Sequence, residues 1–400
     1  MLRRNQLPFA LHRLLRNILA AMLLLICTQW VALAAPPREF VPSAAGKAAA
    51  YLLLDATSGR ILAAHNIDAP RQPASLTKMM TVYVAGQKLN AGTLFLTDQV
   101  RVSERAWRMS GSRMFLELHS SVPVAAVLHG IIIQSGNDAS VALAEHIAGT
   151  EADFVSLMNQ TAQELGMTRT TFANATGLPA PGVQTTARDM ATLSLALLRD
   201  HPYLYSLHAI RHFEHNNISQ TNRNRLLHSD PTVDGIKTGY TRAAGYCQTT
   251  SAVRDEMRLI TVVLGADTVP ARTRLNQELL EYGFRHYETH RLHVRGEPLG
   301  AIRVWKARQS ELPYGLDTDI LVTIPRGRLP DLDRRLTLSL AEPVLGPMFR
   351  GRQVGTLEIS LDGETLAQEK LLTLSSAEPA GFFSAMVDTV RLFLLRTSLF

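Results

Sequence analysis

Residues 72–85 read QPASLTKMMTVYVA. Pro73 stands where a helix can begin, and Ser75 precedes Lys78 by three positions, a spacing that puts both side chains on one helical face. Met79, Met80, Val82, Tyr83 and Val84 then make the segment apolar nearly all round, the pattern of a helix buried on every side. Such a helix carries the amine of its first turn into a poor solvent for charge. Desolvation and neighbouring cations both lower a lysine pKa, and a partly neutral lysine can act as the base that a serine nucleophile needs. Backbone N–H groups at the helix start can stabilise negative charge developing on a substrate oxygen. A plain helix cap followed by a surface lysine has the same spacing, so the pair must draw support from the rest of the chain.

The chain around it has 400 residues, enough for two or three domains with real cores. With 46% hydrophobic and 19% charged residues it is ordinary globular material, with an apolar excess at the two ends. Residues 1–34 read as a secretory signal: Arg3, Arg4, Arg13 and Arg16, an apolar run over 18–26, then Ala32-Leu33-Ala34 as a small-residue cleavage site. An uncleaved anchor is the alternative, although the run is short for a span. Removing the leader takes away four arginines and no acid, so the formal charge falls from +6 to +2 and gives no reason to expect nucleic acid as a partner. Cys27 lies in the leader and only Cys247 remains, which excludes an internal disulfide and a two-cysteine metal site. Ile26 stands where a lipoprotein signal needs a small residue, so no lipidation of Cys27 is expected.

Upstream of the helix, residues 49–54 and 61–64 are strand-like runs flanking the turn-forming stretch 55–60, which is hairpin grammar. Downstream, residues 124–133 are helical and apolar, Gln134-Ser135-Gly136-Asn137 interrupts, and 138–148 is helical again. A serine and an asparagine therefore sit on a tight connection between buried helices, where N-capping by Asn137 or Asp138 would also account for them. Further helices are expected over 152–165 and 188–199. His201, His208, His212 and His215 invite a metal site if helical, but Asn216-Asn217 and the alternation around it favour a hairpin, and no metal is expected. Residues 233–240, VDGIKTGY, open a strand region continued by 245–253 and 257–264, the last so apolar that it belongs at the centre of its sheet. A helix over about 272–282 closes the domain. Lys237-Thr238-Gly239 reads either as an edge strand ending in a turn or as a place where Gly239 lets a ligand backbone approach closely.

From about residue 292 strand follows strand: Ile302 and Val304, then Ile320, Val322 and Ile324, then Leu336, Leu338 and Leu340, then Leu357, Ile359 and Leu361. Asp362-Gly363 is a good two-residue hairpin turn, and the alternation marks a small antiparallel β domain ending near residue 375. The last segment places Phe382, Phe383, Met386, Val387, Val390, Phe393 and Leu394 on one helical face, with Ser384, Asp388 and Arg391 opposite. That face suits a membrane interface, or packing on its own domain.

Ser75-x-x-Lys78, Ser135-Gly136-Asn137 and Lys237-Thr238-Gly239 occur in this order, about 60 and then 100 residues apart. Together they match the signature of serine β-lactamases and penicillin-binding proteins, with glycine where the middle motif has aspartate. The wording beyond the motifs, in IIQSGNDAS, TARDMA, TNRNRLL, DGIKTG, AGYCQTTSAV and IPRGR, closely resembles the D-alanyl-D-alanine carboxypeptidases of the low-molecular-mass penicillin-binding proteins, in the group of penicillin-binding proteins five and six. The likeness runs from about Ala48 to the C-terminus.

The resemblance implies an α+β fold. A β-lactamase/penicillin-binding-protein-like transpeptidase domain, an antiparallel sheet with helices on both faces, would span residues 40–287. A small all-β domain at 290–376 and an amphipathic helix at 380–400, resting on a membrane surface, would follow. The protein would be exported to the periplasmic face of the bacterial inner membrane and held there peripherally. Its substrate would be the D-Ala-D-Ala end of a peptidoglycan stem pentapeptide, and β-lactam antibiotics would acylate the same serine. Ser75 would attack the penultimate carbonyl with Lys78 as its base, and Ser135 would relay a proton to the leaving D-alanine in a network polarised by Lys237. Asn137 would bind the substrate amide, and the backbone N–H groups of Ser75 and Tyr240 would form the oxyanion hole beside Gly239. Lys237, Thr238 and Arg272 or Arg223 would receive the terminal carboxylate. No cofactor, metal or nucleic acid is called for. Tyr240 departs from the family, which often has histidine there.

Three other readings share parts of this pattern. A class A β-lactamase needs a glutamate in an E-x-x-L-N segment, and none lies between Asn137 and Lys237. A D,D-endopeptidase that opens cross-links between stems would use the same site. A non-catalytic wall-binding scaffold would keep the fold, but here all three motifs are intact.

Overall fold

The structure, a computed structural model, describes residues 39–43 and 47–397; the leader expected over 1–34 lies outside them. A hairpin of β1 (Ala48–Asp55) and β2 (Ile61–His65) leads through a single 3-10 turn, Ala74–Leu76, into α1 (Thr77–Asn90). A short pair, β3 (Gln99–Arg101) and β4 (Ser121–Pro123), precedes the helices α2 (Val124–Ile133), α3 (Asn137–Ala148), α4 (Glu151–Glu164) and α5 (Ala187–Asp200). Then come the hairpin β5 (His212–His215) and β6 (Ile218–Thr221), the meander β7 (Val233–Thr241), β8 (Gly245–Arg254) and β9 (Met257–Ala266), and α6 (Val269–His286).

The main sheet runs β2-β1-β9-β8-β7, all antiparallel, with the apolar strand β9 in the middle as expected. Strand periodicity divides its side chains between two cores. Ile260, Val262 and Leu264 of β9 and Ala50, Leu52 and Leu54 of β1 face the helices α1 to α5. Leu259 and Val263 of β9 with Tyr51 and Leu53 of β1 face Leu275, Leu279, Leu280 and Phe284 of α6. Helices therefore cover both faces of the sheet, and β9, buried on both sides, is apolar nearly throughout, with the buried Thr261 hydroxyl donating to Asn276 Oδ1.

Helix α1 runs through the larger core, with Leu76, Met79, Met80 and Val84 essentially inaccessible, each such side chain stabilising the fold by about 1.5–3 kcal/mol relative to exposure. Gly92, at φ +67, follows its end, a left-handed position that glycine occupies without strain. Helix α6 is longer than the expected 272–282, because Thr268 caps it by accepting from Ala271 N–H and a proline sits in its first turn. Around Asn216-Asn217 the chain does form the hairpin that the alternation favoured, both asparagines having positive φ.

Beyond α6 come β10 (Tyr287–His293), β11 (Pro298–Arg303), β12 (Glu311–Gly315), β13 (Ile320–Pro325), β14 (Asp333–Leu338), β15 (Gln353–Leu361) and β16 (Glu364–Thr373). Five of them form a sheet in the order β11-β12-β16-β15-β14, while β10 pairs with β13, and a third core lies among them. Asp362 and Gly363 both have positive φ and join Leu361 to its partner Glu364 in the two-residue turn expected there. The leucine alternation of β14 does not reach this core. β14 is an edge strand exposed along its length, with Leu336 and Leu338 at 40% and 44% exposure, and β15 supplies Leu357, Ile359 and Leu361 instead. The terminal helix α7 (Phe382–Thr397) turns its half-buried Ala385, Asp388 and Leu392 to the body, and Asp388 accepts the Lys306 N–H at 2.8 Å. Its aromatic face is exposed, Phe382 and Phe383 at 78% each. Among the described residues no helix is long and apolar enough to cross a membrane.

Candidate active site

The 3-10 turn before α1 presents Ser75 at the mouth of a cavity of about 780 Å³. Of the ten residues singled out in the sequence, Ser75, Ser135, Asn137, Arg223, Thr238, Gly239, Tyr240 and Arg272 line it, while Lys78 and Lys237 lie buried immediately behind. Three separate stretches thus converge on one opening.

Lys78 is fully buried, with Nζ 3.2 Å from Ser75 Oγ and 2.7 Å from both Asn137 Oδ1 and the Thr176 carbonyl. None of these partners is charged. Burial, and secondarily the Arg223 guanidinium, bring its pKa down to about 7, against a smaller opposing pull from Asp138. A neutral amine has two N–H bonds and one lone pair. The two carbonyl oxygens take the N–H bonds, which leaves the lone pair for the Ser75 hydroxyl proton. That assignment satisfies every contact of the amine and makes it a base towards Ser75.

Asn137 is held on its other side, where Nδ2 donates to the Ser110 carbonyl at 2.6 Å. Both ends of its amide are therefore engaged within the protein, so it positions Lys78 as well as facing the cavity. Next to it Asp138, buried, accepts the N–H groups of Met114, Phe115 and Leu116 and so fixes the loop that carries Gly111 and Ser112. Ser135 has a left-handed φ of +64, and its buried Oγ makes no hydrogen bond among the described residues. Ala74, before the nucleophile, has φ +48. Both are strained conformations for residues with a Cβ, and they flank the reacting centre from opposite walls.

Strand β7 makes the third wall. Lys237 is buried, Nζ donates to the Thr238 carbonyl at 3.1 Å, and burial, followed by the charges of Lys78, Arg223 and Arg272, puts its pKa well below the usual lysine value. Gly239 lines the cavity and is also closely approached from within the protein. A Cβ there would stand 3.0 Å from the Ser75 nitrogen and 3.1 Å from Ala74 Cβ, so it is the nucleophile's own turn that comes close. Tyr240, 54% exposed, stacks on Tyr246 with centroids 4.3 Å apart at the rim. Arg272 is buried, Nη1 donates to the Cys247 carbonyl at 3.4 Å, and its Nε has no hydrogen-bond partner among the described residues, while Arg223 Nε donates to Gln134 Oε1 at 3.0 Å.

Several contributors escaped the sequence reading. The carbonyl that holds Lys78 belongs to a turn organised by Asn174, whose Oδ1 accepts the N–H groups of Thr176 and Gly177. A Cβ on Gly177, at φ +80, would meet the Ala74 oxygen at 1.8 Å, so this turn presses against the nucleophile's own. The Asn-Ala-Thr-Gly wording is a turn signal that could have drawn attention to it. Behind β7, His208 Nδ1 lies 2.8 Å from the Ile236 carbonyl and Asn224 Nδ2 donates to the Gly235 carbonyl at 2.9 Å. Burial lowers the His208 pKa to about 4, so it serves as a neutral prop. Such supports depend on contacts between distant segments and leave no local pattern.

The family model described as D-alanyl-D-alanine carboxypeptidase matches residues 38–268, and that of the penicillin-binding protein 5 C-terminal domain matches 287–379. D-alanyl-D-alanine carboxypeptidase DacC of Escherichia coli K12 is 43% identical over 385 residues, 94% of this chain and 95% of its own. The crystal structure of penicillin binding protein 5 from Haemophilus influenzae is similar with a TM-score of 0.79 at 38% identity, covering 85% of this chain and 99% of that one. Penicillin-Binding Protein D2 from Listeria monocytogenes in the ampicillin-bound form is similar over 59% of this chain and 97% of its own, with a TM-score of 0.55 at 29% identity.

Proposed function

Because the chain belongs to the D-alanyl-D-alanine carboxypeptidase family, we propose that Ser75 is the nucleophile with which it removes the terminal D-alanine from peptidoglycan stem pentapeptides. Neutral Lys78 takes the Ser75 proton as Oγ attacks the carbonyl carbon of the penultimate D-alanine. Backbone N–H groups of Ser75 and Tyr240 stabilise the oxyanion. The amide C–N bond then breaks, and the leaving amine receives through Ser135, beside Lys237, the proton that Lys78 took from Ser75. Water attacks the ester, its hydroxyl going to the acyl group and its proton back to Ser75. Thr238, Arg272 and Arg223 hold the terminal carboxylate, the one anionic group of the substrate end. β-Lactams enter the same sequence and stop at the acyl-enzyme.

The observation that carries this reading is the fully buried Lys78 Nζ within hydrogen-bond distance of Ser75 Oγ with no carboxylate among its partners, so that burial brings its pKa down to about 7. Incubating the purified protein with a pentapeptide tests it. Release of free D-alanine, lost together with fluorescent-penicillin labelling in Ser75→Ala, is expected; labelling that persists in the variant sinks the assignment.

The domain limits 40–287 and 290–376 are part of the same proposal, supported by the separate core of the β portion. The helix over 380–400 is proposed to rest on the periplasmic face of the inner membrane, a reading supported by its exposed aromatic face.

A further inference from the structure

The cavity beside Ser75 gathers more positive charge than one terminal carboxylate uses. Besides Arg223 and Arg272, Arg225 and His228 line it, and among the described residues no aspartate or glutamate does. Both come from the segment after β6, where Leu226 and Leu227 are buried and leave Arg225 and His228 exposed. The Arg225 guanidinium makes no ion pair or hydrogen bond among the described residues. His228 is oriented by Nε2 lying 3.2 Å from the Asn222 carbonyl and by an edge contact with the His212 ring at 5.9 Å.

Arg223 acts on both Lys78 and Lys237, Arg272 acts on Lys237, and Arg225 acts on Arg272. Arg225 stands two residues after Arg223 on the same segment and lines the same cavity as Arg272, so it offers a further guanidinium to a ligand bound there. About 780 Å³ is in the range that encloses a drug-sized ligand, far more than an alanine residue fills.

We propose that Arg225, assisted by His228, forms a second anion subsite beyond the terminal-carboxylate site, which favours leaving amino acids that carry a second carboxylate on their side chain. The proposal rests on the carboxypeptidase reading of Ser75, and the bond broken is the same; only the leaving amine is larger. Arg225 is exposed, so the gain is that of a solvent-screened ion pair.

The test compares the full chain on three acyl-peptides ending in D-Ala-D-Ala, D-Ala-D-Glu and D-Ala-D-Gln, the last two nearly identical in shape. Wild type is expected to show kcat/KM about fivefold higher for D-Glu than for D-Gln. Arg225→Gln should bring that ratio to about one, and Arg225→Lys should keep most of it. Equal handling of the two peptides by wild type, or an undiminished ratio in Arg225→Gln, overturns the subsite. Should that variant not fold, salt on the wild type decides, since the preference must shrink as ionic strength rises and a salt-independent preference counts against it. Failure on all three peptides together with absent penicillin labelling removes the parent reading, and the subsite with it.

Discussion

Lys78 and Arg328 are both basic side chains withdrawn from water, and the chain treats them in opposite ways. In the β portion, the side chain of Arg328 is 6% exposed and meets two carboxylates, Asp331 through Nε and Asp362 through a two-pronged contact at 2.9 and 3.2 Å. The hydrogen bonds it donates to Asp362 and then Asp331 raise its pKa. In the cleft, Lys78 meets only neutral oxygens, and burial, followed by the Arg223 charge, brings its pKa down. A buried charge kept for stability is given counter-ions. One kept for chemistry is denied them, so that the proton becomes easy to lose. The left-handed Ser135 and Ala74, and the unpaired Ser135 Oγ, belong to the same economy of a site that is less comfortable than the rest of the fold.

The contrast can be broken at four points of decreasing effect. Ser75→Ala should lower D-alanine release by about 10⁴-fold or more and abolish covalent penicillin labelling, because nothing else in the cavity replaces the hydroxyl. Lys78→Arg keeps the positive charge but cannot become neutral, and acylation by penicillin is expected to slow by about 10³-fold, measured by labelling time courses. Arg328→Gln should do the reverse: it leaves two carboxylates facing a neutral amide and lowers Tm, read by thermal unfolding, while kcat/KM stays within about twofold. Arg223→Gln makes the smallest change. Removing a cation that depresses Lys78 must raise the pH at which the acylation rate reaches half its plateau, and a midpoint that stays or falls would show that Arg223 does not act on this amine.

Much of this contrast was legible before any coordinates. The triple S-x-x-K, S-x-N and K-T-G identified the elements that meet, and the apolar run behind Lys78 indicated the desolvation that makes the amine useful. The even burial of β9 followed from its lack of alternation. What the sequence hid depends on encounters between remote segments. Thr176 offers a backbone carbonyl to Lys78, and carbonyls carry no residue identity. That the Ser75 turn lies against Gly239 is a second demand on this glycine that nothing in residues 233–240 reveals. The strand through Leu336 and Leu338 was legible but its exposure was not, because alternation shows that a strand has two faces, and not whether either one is covered.

The claim on which the rest depends is that Lys78 is an uncharged amine near neutral pH. It is tested most directly by the first-order rate constant for acylation of the wild-type protein by a saturating penicillin, followed from pH 5 to pH 9 under constant salt. Since the neutral form is the reactive one and its fraction grows as pH passes the folded-state pKa, the rate should rise tenfold per unit on the acid side and level off with a midpoint at about 7. A rate still climbing through pH 9, as an ordinary lysine of pKa about 10.4 would give, or one that is flat across the range, would contradict it.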